Sequence, residues 1–108
     1  MRKLRVLIAD DYEQVRSAII QVLSVDFKIV GVVGDGEQLV DSAISLSPDV
    51  IVTDISMPML SGPEAMKEFR AQGHDIPFVL VSANPFSAEE SIRKVRWRLL
   101  TNVTQHMS

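Results

Sequence analysis

The sequence predicts an α/β domain built on a doubly wound parallel sheet, and three observations predict it. Apolar strand-like runs alternate with segments of helical period, the rhythm of successive βαβ units. The first run, Val6-Leu7-Ile8-Ala9, contains no polar residue, as expected of a strand covered by helices on both faces. The first and third runs both end in aspartate, at Asp10 and at Asp54, which places acids at matching strand ends.

The elements follow in order. After Asp10 and Asp11, the residues Val15, Ala18, Ile19, Val22 and Leu23 recur at helical spacing and define one apolar stripe. Phe27 to Val33 reads as a second strand. Gly34-Asp35-Gly36 then turns into a helix expected to carry Leu39, Val40, Ala43 and Ile44 inward. Pro48 marks re-entry into a third strand, Val50 to Thr53, ending at Asp54. Beyond the loop Ile55 to Gly62, Pro63 suits the first position of a helix that turns Ala65, Met66 and Phe69 inward and closes at Gly73. Phe78 to Val81 is a fourth strand ending in Ser82, and Ser87 with Glu90 forms a capping box for a helix through Ile92 and Val95. From Trp97 onward two readings stay open: a continuation of that helix, since Leu99 lies four residues after Val95, or a strand over Leu99 to Thr104. Residues 1–96 therefore read as the domain and 97–108 as an atypical tail or the remnant of a last strand.

Composition narrows the function. The chain has 108 residues, 46% hydrophobic and 23% charged, which suits one domain with a single core. Without cysteine there is neither a disulfide scaffold nor a thiolate zinc site, and two scattered histidines, His74 and His106, do not make an imidazole site. His74 reads as a surface loop residue. A net charge of −3 argues against nucleic acid as a partner. The run Arg93, Lys94, Arg96 and Arg98 reads as a solvated helix face. No apolar run is long enough to cross a bilayer, and the start lacks a signal-peptide pattern, so a cytoplasmic protein with protein partners is expected.

Chemistry concentrates at the strand ends. In an open parallel sheet, ligands bind outside the carboxyl ends of the strands, so Asp10, Asp11, Asp54 and Ser82 should converge on one crevice. An aspartate closing a strand is often only a turn residue, but acids at the ends of two strands with a hydroxyl at a third make a site. Carboxylates crowded together repel, and at least one is driven toward its protonated form unless a cation compensates. Magnesium, held by one or two carboxylates together with phosphate oxygens and water, fits this set better than an all-protein calcium cage.

Three phrases carry a resemblance: Leu7-Ile8-Ala9-Asp10-Asp11, then Thr53-Asp54-Ile55-Ser56-Met57-Pro58-Met59-Leu60-Ser61-Gly62, then Val81-Ser82-Ala83. In that order and spacing they resemble the receiver domains of two-component response regulators, over residues 4 to about 95. The resemblance implies a flavodoxin-like fold with strand order 2-1-3-4-5 and a phosphoacceptor role for Asp54, which takes its phosphoryl group from a histidine kinase or phosphotransfer protein. It implies that Mg2+ is held by Asp11 and Asp54, with Asp10 assisting and the backbone carbonyl of Ser56 completing the protein ligands. It also implies that Ser82 is the hydroxyl switch that hydrogen-bonds the phosphoryl group. Such a domain is no enzyme beyond its own phosphoryl transfer and dephosphorylation.

The resemblance breaks near the end. Receiver domains place a phosphoryl-binding lysine at the end of a fifth strand, but the last lysine here, Lys94, falls inside the predicted fourth helix. A sheet that stops at the fourth strand exposes an apolar edge, so a homodimer through this edge strand and the fourth helix is expected. Two other functions compete with this one. An aspartate-nucleophile phosphatase needs an acid two residues after the nucleophile, where Ser56 stands, and neither Asp54 nor Asp11 suits it. A phosphorylation-deficient pseudo-receiver, acting as an interaction module, agrees with the missing lysine.

Overall fold

In the computed structural model, residues 2–81 and 88–107 are described, the side chains of residues 88–91 and 102–107 apart. The strands are β1 (Arg5–Ala9), β2 (Lys28–Val33), β3 (Val50–Asp54) and β4 (Phe78–Val81). The helices are α1 (Glu13–Leu23), α2 (Gly36–Leu46), α3 (Gly62–Ala71) and α4 (Ala88–Met107). All strand pairs are parallel and the order is β2-β1-β3-β4, the doubly wound arrangement the sequence predicts.

Alternation along each strand sorts side chains to two faces. Val6 and Ile8 of β1, with Val50, Val52, Val79 and Val81, meet Val15, Ile19 and Leu23 of α1 and Ile92, Val95 and Leu99 of α4. Leu7, Ala9 and Ile51 meet Leu39, Val40 and Ala43 of α2 and Ala65 and Phe69 of α3 on the opposite face. The central strand β3 is buried at every position, consistent with helices on both sides.

Two helix faces differ from expectation. Ile44, expected inward, is 38% exposed, because the inward stripe of α2 ends at Ala43 and the next position rotates about 100° toward solvent. Met66 is half-buried, while Ala65 and Phe69 carry the contact of α3. His74 is half-buried rather than a free surface residue, and its ring stacks on Phe69 at 4.8 Å. The start of α3 shows a device the sequence reading passed over. Ser61 accepts from the Glu64 backbone N–H at 3.1 Å while the Glu64 carboxylate accepts from the Ser61 N–H at 3.0 Å, a full capping box. The corresponding box expected from Ser87 and Glu90 lies outside the described residues.

Beyond Trp97 the open question resolves to helix. α4 runs to Met107 through the whole stretch considered for a strand, and Leu99 is 2% exposed in the core beside Val95 and Ile92. The spacing 92, 95, 99 is a helical stripe facing α1, and the Arg96 guanidinium pins the same face to Asp26 at 2.8 Å. Among the described residues, β4 pairs on one side only, with β3. No helix among them is long and apolar enough to cross a membrane.

Candidate functional site

The site begins with strand register. β1 and β3 are neighbours, with Ala9 opposite Thr53, so the next residue of each, Asp10 and Asp54, emerges at the same edge of the sheet. The Asp10 N–H still donates to the Val33 carbonyl of β2 at 3.0 Å, which extends the ladder one residue and fixes that side chain. Asp11 follows in the turn before α1 and is exposed. Carboxylate oxygens of Asp10, Asp11 and Asp54 lie within 4.8 Å of one another. Asp10 and Asp54 are 1% and 6% exposed, so two of the three acids are largely removed from water.

Crowding and burial act on Asp10. Its carboxyl is raised from 3.8 to about 6, chiefly by burial and further by the charges of Asp54 and Asp11. The Tyr12 N–H, donating to Asp10 Oδ1 at 2.9 Å, and the Arg16 charge pull in the opposite direction without cancelling the rise. The sequence placed Asp10 and Asp11 together but did not distinguish them. The structure does, with Asp10 inside and Asp11 at the rim.

The loop after Asp54 is tied down from several sides. The Ser56 N–H reaches Asp54 Oδ1 at 3.4 Å, and the Ile55 N–H donates to Val81 of β4 at 3.1 Å. The Gly36 N–H donates to the Pro58 carbonyl at 3.3 Å, and the Leu60 N–H bonds back to Pro58 at 2.8 Å around Met59, whose φ is 70°. The Gly62 N–H closes the loop on Ile55 at 2.9 Å. A Cβ on Gly62 would collide with the Asp54 carbonyl oxygen, so this approach requires glycine. Buried Thr53 donates its hydroxyl to the same carbonyl at 3.0 Å. Thr53 and Gly62 thus support Asp54 from beneath. Gly62 stood within the phrase that carried the resemblance, but no periodicity marks its role.

Asp10, Asp11 and Asp54 are therefore brought together as the sequence predicts. Ser56 sits two residues beyond Asp54 on the exposed loop, and Ser82 lies outside the described residues, immediately after Val81, which pairs with Asp54. Three hard carboxylate donors, with one acid pushed toward its neutral form by burial and by its neighbours, suit an oxygen-ligated divalent cation.

An acid cluster at the carboxyl edge of a doubly wound parallel sheet places the chain among α/β domains whose ligand site lies where strand ends converge. Comparison with known proteins makes the class specific. Residues 6–95 match the response regulator receiver domain family. The chain is 36% identical over 84 residues to a nitrate/nitrite response regulator protein homolog of Haemophilus influenzae, covering 76% of this chain and 40% of that protein. It is 44% identical over 73 residues to protein-glutamate methylesterase/protein-glutamine glutaminase 1 of Geobacter sulfurreducens, covering 66% of this chain and 20% of that protein. The response regulator domain of Thermotoga maritima CheB superposes with a TM-score of 0.76 at 30% identity, covering 96% of each chain. The chain belongs to the response regulator receiver domain family. It spans 20% and 40% of the length of the two curated relatives named above.

Proposed function

We propose that this receiver domain accepts a phosphoryl group on Asp54 from a phosphohistidine of a histidine kinase or phosphotransfer protein and thereby changes its protein contacts. The observation that carries the reading is the convergence of Asp10, Asp11 and Asp54 within 4.8 Å, with Asp54 buried and backed by its own loop. An oxygen of Asp54 attacks phosphorus while the phosphorus–nitrogen bond to the donor imidazole breaks, leaving an acyl phosphate. Phosphoryl transfer passes through a loose transition state, so alignment and charge neutralisation are what a protein contributes. Thr53 and the Gly62 turn hold the Asp54 backbone, and the Ser56 N–H orients one carboxylate oxygen.

Asp10, Asp11, Asp54 and the Ser56 carbonyl would hold Mg2+, which supplies positive charge between the acids and the phosphoryl oxygens. In this reading the Ser82 hydroxyl donates to a phosphoryl oxygen and reports modification to α4, and the domain works in the cytoplasm. A pseudo-receiver is the second reading, favoured by the place of Lys94 inside α4 rather than at a strand end. It predicts binding without modification. For either reading, the one-sided pairing of β4 among the described residues supports a homodimer through this edge and α4. A single monomeric mass in light scattering at high concentration removes that dimer.

The deciding experiment is incubation with acetyl phosphate and Mg2+ followed by intact-mass measurement. The parent chain gains the mass of one phosphoryl group and Asp54→Ala does not. No gain on the parent overturns the phosphoacceptor reading in favour of the pseudo-receiver.

A further inference from the structure

At the end of the sheet opposite the acids, the chain gathers cations. Arg5 of β1 and Lys28 of β2 are direct cross-strand partners, and Arg2 and Lys3 precede the same strand. Together with Phe27 they line an open cleft of about 600 Å³. Like charges set opposite each other on neighbouring strands are unfavourable, so this arrangement costs stability unless something offsets it. Of the nearby acids, Asp26 is taken up by its ion pair with Arg96 at 2.8 Å, while Asp49 accepts the Arg5 backbone N–H at 2.8 Å and offsets one of the four cations. The Arg5 guanidinium donates to the Ser47 carbonyl at the end of α2 at 2.8 Å, so Arg2, Lys3 and Lys28 are the heads left to meet a ligand. Arg2, Lys3 and Lys28 are exposed, and no ion pair among the described residues engages them.

We propose that this cleft binds a phosphate-bearing ligand carrying at least two negative charges. Four of its five lining residues are cationic and the fifth, Phe27, is 4% exposed, so the cationic heads supply the charge recognition while their aliphatic stems make much of the wall. The cleft is open to solvent and leaves room for more than one phosphoryl group, which suits a polyphosphate or a phosphate ester. The cleft is separate from the Asp54 site, because a five-residue strand spans about 15 Å between the two ends of the sheet. Binding here adds a second anion-responsive position to a domain whose other end is acidic.

The test is a pyrophosphate titration of the full chain without Mg2+, at about 0.15 M NaCl to screen diffuse attraction, read from backbone amide resonances. Saturable shifts centred on residues 3–5 and 27–29 are expected, and the double charge reversal Lys3→Glu with Lys28→Glu should weaken binding at least about tenfold. The variant's circular dichroism and melting curve establish that it folds. A parallel arm sediments the chain with vesicles containing phosphatidylinositol 4-phosphate, whose headgroup carries a phosphomonoester. Binding to vesicles but not to pyrophosphate assigns the phosphate to a lipid headgroup, and the reverse assigns it to a soluble ligand. Binding in neither arm, or binding indifferent to the double reversal, overturns the proposal.

Discussion

Replacing Asp10 by asparagine should stabilise the metal-free domain, and only above acid pH. The Asp10 carboxyl is raised from 3.8 to about 6, so between those values the folded state keeps a proton that the unfolded chain has released. Stability from this group is complete below pH 3.8, falls as pH rises through about 6, and stays low above it. A rise of that size corresponds to about 3 kcal/mol at most, and solvent at the Asp11 rim discounts that to about 1–3 kcal/mol. The asparagine amide would retain the oxygen that accepts the Tyr12 N–H and lose the charge that Asp54 and Asp11 oppose. Thermal unfolding in EDTA by circular dichroism therefore shows Asp10→Asn melting at least about 4 °C above the parent at pH 7.5. At pH 3.5 the two curves coincide. A variant that is equal to or weaker than the parent at pH 7.5 refutes the view that crowded, buried charge is the dominant strain at this site.

Two further substitutions probe the frame. Leu99→Ala removes a side chain that is 2% exposed between α1 and the sheet, and should cost about 2–5 kcal/mol in urea denaturation. An unchanged midpoint would show that the residues beyond Trp97 contribute nothing to the core. Gly62→Ala forces a methyl group against the Asp54 carbonyl and should cost about 1–3 kcal/mol while slowing acetyl phosphate labelling more than a surface control does. Normal labelling at parental stability would mean that the close approach is not required.

Much of this architecture is legible without coordinates because its signals are periodic. The apolar run of β1 and the i, i+3, i+4 stripe of α1 each fit one element only, and the aspartates at matching strand ends converge because parallel neighbours end at the same edge. Leu99-Leu100 is different, since two adjacent apolar residues suit a helix stripe or a strand equally. Periodicity marks the apolar face of α4 but not which side of the sheet receives it, and only the contacts with Val15, Ile19 and Leu23 decide that. The unequal burial of Asp10 and Asp11, and the collision that forbids a side chain on Gly62, arise from contacts distant in sequence and leave no local pattern.

The two faces of the sheet have unequal histories during synthesis. The α2/α3 side has all its fully buried core residues once Phe69 is made, with Ile76 and Phe78 to pack on their rim, whereas the α1 side waits for Leu99, thirty residues after Phe69. At about 5–20 residues per second, that gap lasts about 2–6 s. During it Val6, Ile8, Val50 and Val52 have only α1 against them, and the Arg96–Asp26 clasp does not yet exist. The nascent chain is thus finished on one side before the other can close, and its window of greatest adhesiveness comes late, just before α4 is complete.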